Sequence, residues 1–216
     1  MFNQKKFDEL NKVKRRKLEK SFYANDDVLE ISKDLLGKFL MTKINGVVTG
    51  GMIVETEAYN GRCDKACHAF PEKRTKRTEI MYNPGGSAYV YVCYGIHYLF
   101  NITTNIKDKA DAVLVRAIEP VEGIDVMLKR RNLQVVKPQL TAGPGVLTQA
   151  LGINKRHYGA DLSGSEVWIE DRNIILMEED VVACPRIGVA YAEEDALLPW
   201  RFYIKGNKFV SKIKSA

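Results

Sequence analysis

Apolar positions along this chain switch between a helical and a strand-like period, and the switch points mark its elements. Val28, Leu29, Ile31, Leu35 and Leu36 recur at helical spacing behind the capping run Asn25-Asp26-Asp27, which predicts a helix that stops at Gly37. KFLMTKI and GGMIVETEAY read as two strands around the turn pair Asn45-Gly46. Residues 61–84 carry no period; they are polar and basic and close on Asn83-Pro84-Gly85-Gly86. SAYVYVCY and HYLFNITT, rich in aromatic and β-branched residues, flank Gly95 as a β-hairpin. The strand AVLVRAI leads to Glu119-Pro120, where Pro120 fits a first helical position ahead of Val121, Ile124, Met127 and Leu128. Acidic Glu122 and Asp125 early and Lys129, Arg130 and Arg131 late follow the order that a helix dipole favours. A further helix follows Gly143-Pro144-Gly145 and ends at Gly152, and the stretch from EVWIED to RFYIKGNKFV reads as short strands. With no repeat and no linker-like shift, the pattern predicts one α+β domain over 21–216 behind a basic arm, 1–20, frayed or helical.

Composition then narrows the partners. The 216 residues suffice to bury a core without staples, and a formal charge of +6 favours an anionic partner such as nucleic acid. Four cysteines are too few for a disulfide scaffold, and the charged N-terminus lacks a signal-peptide core, so a reduced, intracellular setting is expected. No apolar run approaches the ~18 residues of a membrane span. No P-loop is present and no GxGxxG follows a strand, which argues against a nucleotide cofactor.

Several constellations are candidates for chemistry. Period two places Glu55, Glu57 and Tyr59 on one strand face, either a solvated face or a cleft in which one carboxylate is a general base. A hairpin register centred on Ile96 sets Tyr91 opposite Asn101, an aromatic ring beside an amide, as a stacking platform or as ordinary β-core. Tyr94 stands at the hairpin tip, where it resembles the wedge residues that enter base stacks. Cys63, Cys67 and His68 have no second ligand pair downstream, so no metal site is expected, and mid-strand Cys93 is not expected to be a nucleophile. Positive charge clusters in KRTKR (Lys73 to Arg77), Lys129-Arg130-Arg131 and Lys155-Arg156. Free N–H groups where Gly143 and Gly145 open a helix suit a phosphate, so Gly143, Gly145 and Lys155 are candidate DNA-backbone contacts.

Taken in order, VETEAYNGRCDKACH, NPGGSAYVYVCYGIHYLFNI, VLVRAIEP, GPGVLTQALGINK and RIGV with PWRFYIKG resemble the 3-methyladenine (alkyladenine) DNA glycosylase family, from about Asp27 to Lys208. The resemblance implies a compact mixed domain with a curved antiparallel sheet, from which a hairpin enters the DNA minor groove. It implies no metal or organic cofactor, and a monomer acting on double-stranded DNA that carries damaged purines. By residue match, Glu57 corresponds to the general base that activates a water. Arg116 and the main-chain carbonyl of Ile187 correspond to groups that hold that water. Tyr59, His68 and Tyr91 match the walls of the base pocket, Asn101 a residue that screens the base edge, and Tyr94 the wedge that fills the vacated stack. Cys67 and the residues after Gly95 depart from the family's usual pattern, which bears on the lesion spectrum rather than on the chemistry.

The physical logic is independent of the family. An N-glycosidic bond breaks through an oxocarbenium-like transition state, so a carboxylate both offsets cationic charge on the sugar and takes a proton from water. The target carbon is inaccessible in stacked DNA, so flipping comes first, at a cost of a few kcal/mol that is least for damaged bases. Nothing marks a Schiff-base lysine, so no lyase step is expected. The enzyme would work wherever the genome lies, in the bacterial cytoplasm or the eukaryotic nucleus. The rival readings are a lesion-binding protein without catalysis and an RNA-binding domain of a tRNA-modifying enzyme.

Overall fold

One antiparallel sheet of nine strands organises the computed structural model, which describes residues 14–212. The strands are β1 (Arg16–Lys17), β2 (Phe39–Ile44), β3 (Val47–Asn60), β4 (Ala88–Cys93), β5 (His97–Thr104), β6 (Asp111–Glu122), β7 (Val167–Asp171), β8 (Val181–Cys184) and β9 (Arg201–Ile204). They run β1-β7-β2-β3-β6-β5-β4, with β9 pairing the second half of β3 and carrying β8. The α-helices among the described residues are α1 (Lys20–Tyr23), α2 (Val28–Asp34), α3 (Ile124–Arg131) and α4 (Pro144–Leu151). The chain is thus a single compact α+β domain, and none of these helices is long and apolar enough to cross a membrane.

Local chemistry explains most boundaries. The Asp27 carboxylate accepts the N–H groups of Leu29 (2.8 Å) and Glu30 (3.2 Å) and so caps α2. Asn45 and Gly46, with φ of 52° and 79°, form the two left-handed positions that a tight β2–β3 hairpin requires. Ile31 and Leu35 from α2 and Leu147 and Leu151 from α4 share one core with Ile53, Val113 and Val115. Each such side chain contributes on the order of 1.5–3 kcal/mol by leaving water. Phe39, Met41, Met52, Val54 and Trp168 form a second cluster, closed by Phe209.

Three expectations are corrected. Part of the basic arm is neither frayed nor helical: Arg16 and Lys17 pair with Asp171 and Glu170 as an edge strand, and Leu18 beside them is buried; residues 1–13 of that arm lie outside the described residues. Pro120 does not start a helix. It sits inside β6 opposite Gly51, next to a register shift, and α3 starts only after Gly123 adopts φ +68°. The β4–β5 hairpin centres on Gly95 rather than Ile96, so Tyr91 faces Leu99 and Asn101 faces Tyr89. The reason is a three-residue loop, Tyr94-Gly95-Ile96, whose first two residues both have positive φ. The slip is an even number of residues, so Tyr91 and Asn101 keep a common face.

Candidate active site

Two bulges aim the chemistry. Along the β3–β6 ladder Ile53 pairs with Ile118, Glu55 with Ala117 and Thr56 with Val115, which leaves Val54 and Arg116 as extra residues. A bulge resets the alternation of its strand and re-aims side chains. Ile53 belongs to the core beneath α2, but past the bulge Ala58 takes that side and Thr56 bonds Ser32 of α2. Glu55, Glu57 and Tyr59 therefore turn to the opposite side. Arg116, turned by its own bulge, meets both carboxylates: Nε donates to Glu55 Oε1 at 2.8 Å and Nη1 lies 3.1 Å from Glu57 Oε1. Glu55 and Glu57 are 0% exposed, so the face is not a solvated one.

Glu57 has three partners. Its Oε1 accepts the Ile187 N–H at 2.8 Å in addition to the Arg116 contact, and its Oε2 accepts the Tyr59 hydroxyl at 2.8 Å. A carboxylate offers about four lone-pair positions, so one acceptor direction is left for a water. Burial, then the neighbouring Glu57, push the Tyr59 phenol well above its ordinary range, which keeps it a donor. Burial works against the Arg116 charge, but Glu57 and Glu55 together hold the guanidinium above its ordinary value. The contact that the structure shows for Ile187 runs through its N–H rather than its carbonyl.

Behind this cluster's wall lies a cavity of about 440 Å³, in the range of ~300–1,000 Å³ common for small-molecule sites. Tyr59, Arg116 and Ile187 line it, with Glu57 one layer behind them. His68, Tyr91 and Asn101 line it as well, and so do Tyr94, Gly143 and Gly145 at its mouth. Of the proposed DNA-backbone contacts, Lys155 stands apart from the cavity, exposed in a short turn after α4. His68 packs edge-on to Tyr91 at 4.7 Å, and its Nδ1 lies 2.8 Å from the Tyr89 hydroxyl. Burial, then the Arg77 guanidinium, lower His68 to about 4, so its ring is neutral at physiological pH. Asn101 donates its Nδ2–H to the Tyr89 carbonyl at 3.1 Å.

Tyr94 is 89% exposed at φ +52°, a conformation uncommon for a bulky side chain. Helix α4 begins against the same hairpin: a Cβ on Gly145 would lie 2.8 Å from the His97 ring, and Gly143 has φ +136°. Glycine is required at both, and the first N–H groups of α4 are left without helical acceptors beside the cavity. The basic clusters divide. Tyr158 donates its hydroxyl toward the carbonyls of Lys76 and Arg77, which brings the 155–156 turn beside the 73–77 loop. By contrast, Arg130 bonds Thr49 and the Ala150 carbonyl, and Arg131 bonds Gln149 and the Gln139 carbonyl. That cluster is engaged at the far end of α4.

Five site residues carried no sequence signal that was used. Arg77 lies 4.8 Å over the Tyr91 ring, while Tyr89, His97 and Tyr191 line the cavity. Arg186 forks onto the buried Asp64 carboxylate, between the rings of Tyr59 (4.9 Å) and Trp200 (5.2 Å), and so fixes the residue before Ile187. Its place at the head of RIGV was the available clue. Among the described residues, no cluster of three or more His, Cys, Asp or Glu side chains is arranged to hold a metal ion.

The chain is similar to known proteins over nearly its full length. The methylpurine-DNA glycosylase family profile matches residues 21–208. A protein of Clostridium perfringens named as a 3-methyladenine DNA glycosylase is 47% identical over 204 residues, 91% of this chain and 99% of its own length. Proteins with the same name from Chlamydia felis (46% identical, 88% of this chain, 97% of theirs) and Carboxydothermus hydrogenoformans (46%, 90% and 98%) match similarly.

Proposed function

Because the chain belongs to the methylpurine-DNA glycosylase family and is a DNA glycosylase of base excision repair, we propose that it flips damaged purines of the 3-methyladenine, hypoxanthine and ethenoadenine class out of duplex DNA and hydrolyses their N-glycosidic bond. The observation that carries this reading is the Glu57 carboxylate, held behind the wall of a tyrosine-rich cavity by Tyr59, Arg116 and Ile187 with one acceptor direction to spare. In this reading Glu57 orients and deprotonates a water, and its charge offsets the cation that develops on the sugar. Arg116 and the Ile187 backbone hold that water and the carboxylate in register. The flipped base stacks among Tyr59, His68 and Tyr91, whose rings line the cavity. Asn101, one Nδ2–H already donated to the Tyr89 carbonyl, meets the base edge with the rest of its amide. Tyr94 fills the gap left in the stack. Gly143, Gly145 and Lys155 contact phosphates, and the enzyme works as a monomer without metal or organic cofactor.

Duplex oligonucleotides carrying hypoxanthine, ethenoadenine or 3-methyladenine, followed by hot alkali, reveal abasic sites directly. With wild type, alkali breaks the strand wherever a base has been excised. Glu57→Gln loses on the order of 10² to 10⁴ in single-turnover rate while still binding the lesion duplex. Excision by that variant within threefold of wild type would reject the assignment.

A further inference from the structure

Glu55 has no part in the reaction above, yet it is bonded more tightly than Glu57. Its Oε1 accepts from Arg116 Nε at 2.8 Å, Arg201 Nε at 2.7 Å and the Ser211 hydroxyl at 2.7 Å; its Oε2 accepts the Ser211 N–H at 2.6 Å. The ring of contacts closes on itself, since Arg116 Nη2 donates to Ser211 Oγ (3.4 Å) and Arg201 Nη2 to the Ser211 carbonyl (3.2 Å). Ser211 lies beyond residue 208, where the family match ends.

From this geometry we infer that Glu55 and Ser211 are positioning residues for the glycosylase reaction, which clamp the Arg116 guanidinium so that only Nη1 reaches Glu57. The inference rests on the reading of Glu57 as the base. A guanidinium is a planar fork that readily grips one carboxylate with two N–H groups. Here the fork is split: Nε is spent on Glu55 and Nη2 on Ser211 Oγ, so Arg116 does not close bidentately on Glu57 and cover the acceptor direction that a water needs. Charge points the same way. Two guanidiniums, Arg116 from β6 and Arg201 from β9, balance two carboxylates in a buried cluster. The other groups at its edge are Cys184 of β8, against Arg201, and Tyr59 and Arg186, beside Glu57. Without the Glu55 charge, one carboxylate faces two cations at the place where a third positive charge develops in the transition state. Burial alone would raise the Glu55 carboxyl, but Arg116, Ser211 and Arg201 outweigh it and hold the group below its ordinary range.

The test compares wild type, Glu55→Gln, Ser211→Ala and Glu57→Gln in single-turnover excision from pH 4.5 to 8.5, alongside lesion-duplex affinity and melting temperature. Glu55→Gln keeps the side-chain shape, so the expected result is a plateau rate about 10- to 100-fold lower, the scale of loss when a reacting group leaves its fixed position. Affinity stays within threefold, and the acidic limb moves to lower pH because the unbalanced guanidinium favours a carboxylate anion. Ser211→Ala lowers the rate by a smaller factor and leaves the limb in place, because it loosens the clamp without removing a charge. A Glu55→Gln rate within twofold of wild type, or a slower rate with an unmoved pH limb, overturns the inference. If Glu55→Gln does not fold, Ser211→Ala decides: an unchanged rate there overturns it equally. An active Glu57→Gln instead rejects the reading of the base, a separate failure.

Discussion

The charge of His68 on the cavity wall is set by its surroundings: burial first, and Arg77 second, lower it to about 4. Folded protein therefore binds fewer protons than unfolded chain between about pH 6.5 and 4, so the stability that His68 contributes is complete above 6.5 and is lost as pH falls through that window. Ring-nitrogen NMR should show His68 neutral at pH 5.5; an imidazolium signal there would mean that Arg77 and burial do not control it. Asn101 carries a second residue-scale prediction. Its Nδ2 is tied to the Tyr89 carbonyl, so the side chain is a rigid wall, and guanine differs from hypoxanthine by an added 2-amino group. Asn101→Ser removes that wall and should raise guanine relative to hypoxanthine excision about tenfold or more, at some loss on hypoxanthine. A rate ratio that does not move would make Asn101 structural. Glu57, Tyr59 and Asn101 were legible from side-chain type and spacing and Arg116 from the family resemblance; Tyr59, Arg116 and Asn101 line one cavity, with Glu57 behind its wall. The Ile187 N–H was not, since a backbone donor leaves no mark on residue identity, and Arg77 hid within a charge run.

At the scale of elements, most strands and the helices α2 and α4 were readable from period and caps, whereas β1, the start of α3 and the ladder offsets were not. An extra residue such as Val54 or Arg116 costs nothing in composition, yet it decides which side every later residue faces. The hairpin slipped for a related reason: Tyr94 rather than glycine takes the first left-handed position of its loop, and no propensity rule favours a tyrosine there. That conformation costs on the order of 1–3 kcal/mol, which motivates a paired prediction. Tyr94→Ala should lower the flipped fraction of an ethenoadenine duplex, followed by stopped-flow fluorescence, without changing chemistry within the flipped complex. Tyr94→Gly should lower flipping as much while stabilising the protein by up to about 1 kcal/mol, because glycine accepts φ +52° without strain. Unaltered flipping in both variants would reassign Tyr94 to surface packing.

For the molecule as a whole, a charge of +6 says that anions are attracted but not where. The split among basic clusters does. Tyr158 ties the turn after α4, which carries Lys155, to the 73–77 loop, and Arg130 and Arg131 serve as ties between helices. Lys73→Ala or Lys76→Ala should each flatten the log affinity against log salt plot by about 0.9 per lost phosphate contact. Arg130→Ala should leave that slope unchanged and lower the melting temperature instead; the reverse outcome would move the DNA to the other face. A last consequence follows from where Glu57 sits. Its strand is flanked on both edges, by Leu114 of β6 and by Arg201 of β9. Amide protons around it can meet solvent only when the whole sheet comes apart, so they should exchange among the slowest in the protein. A site anchored in this way cannot breathe to search for its substrate. Under the proposed reaction the adjustment on meeting DNA then falls to the exposed hairpin tip and to the DNA, while the strand that carries Glu57 keeps its geometry throughout.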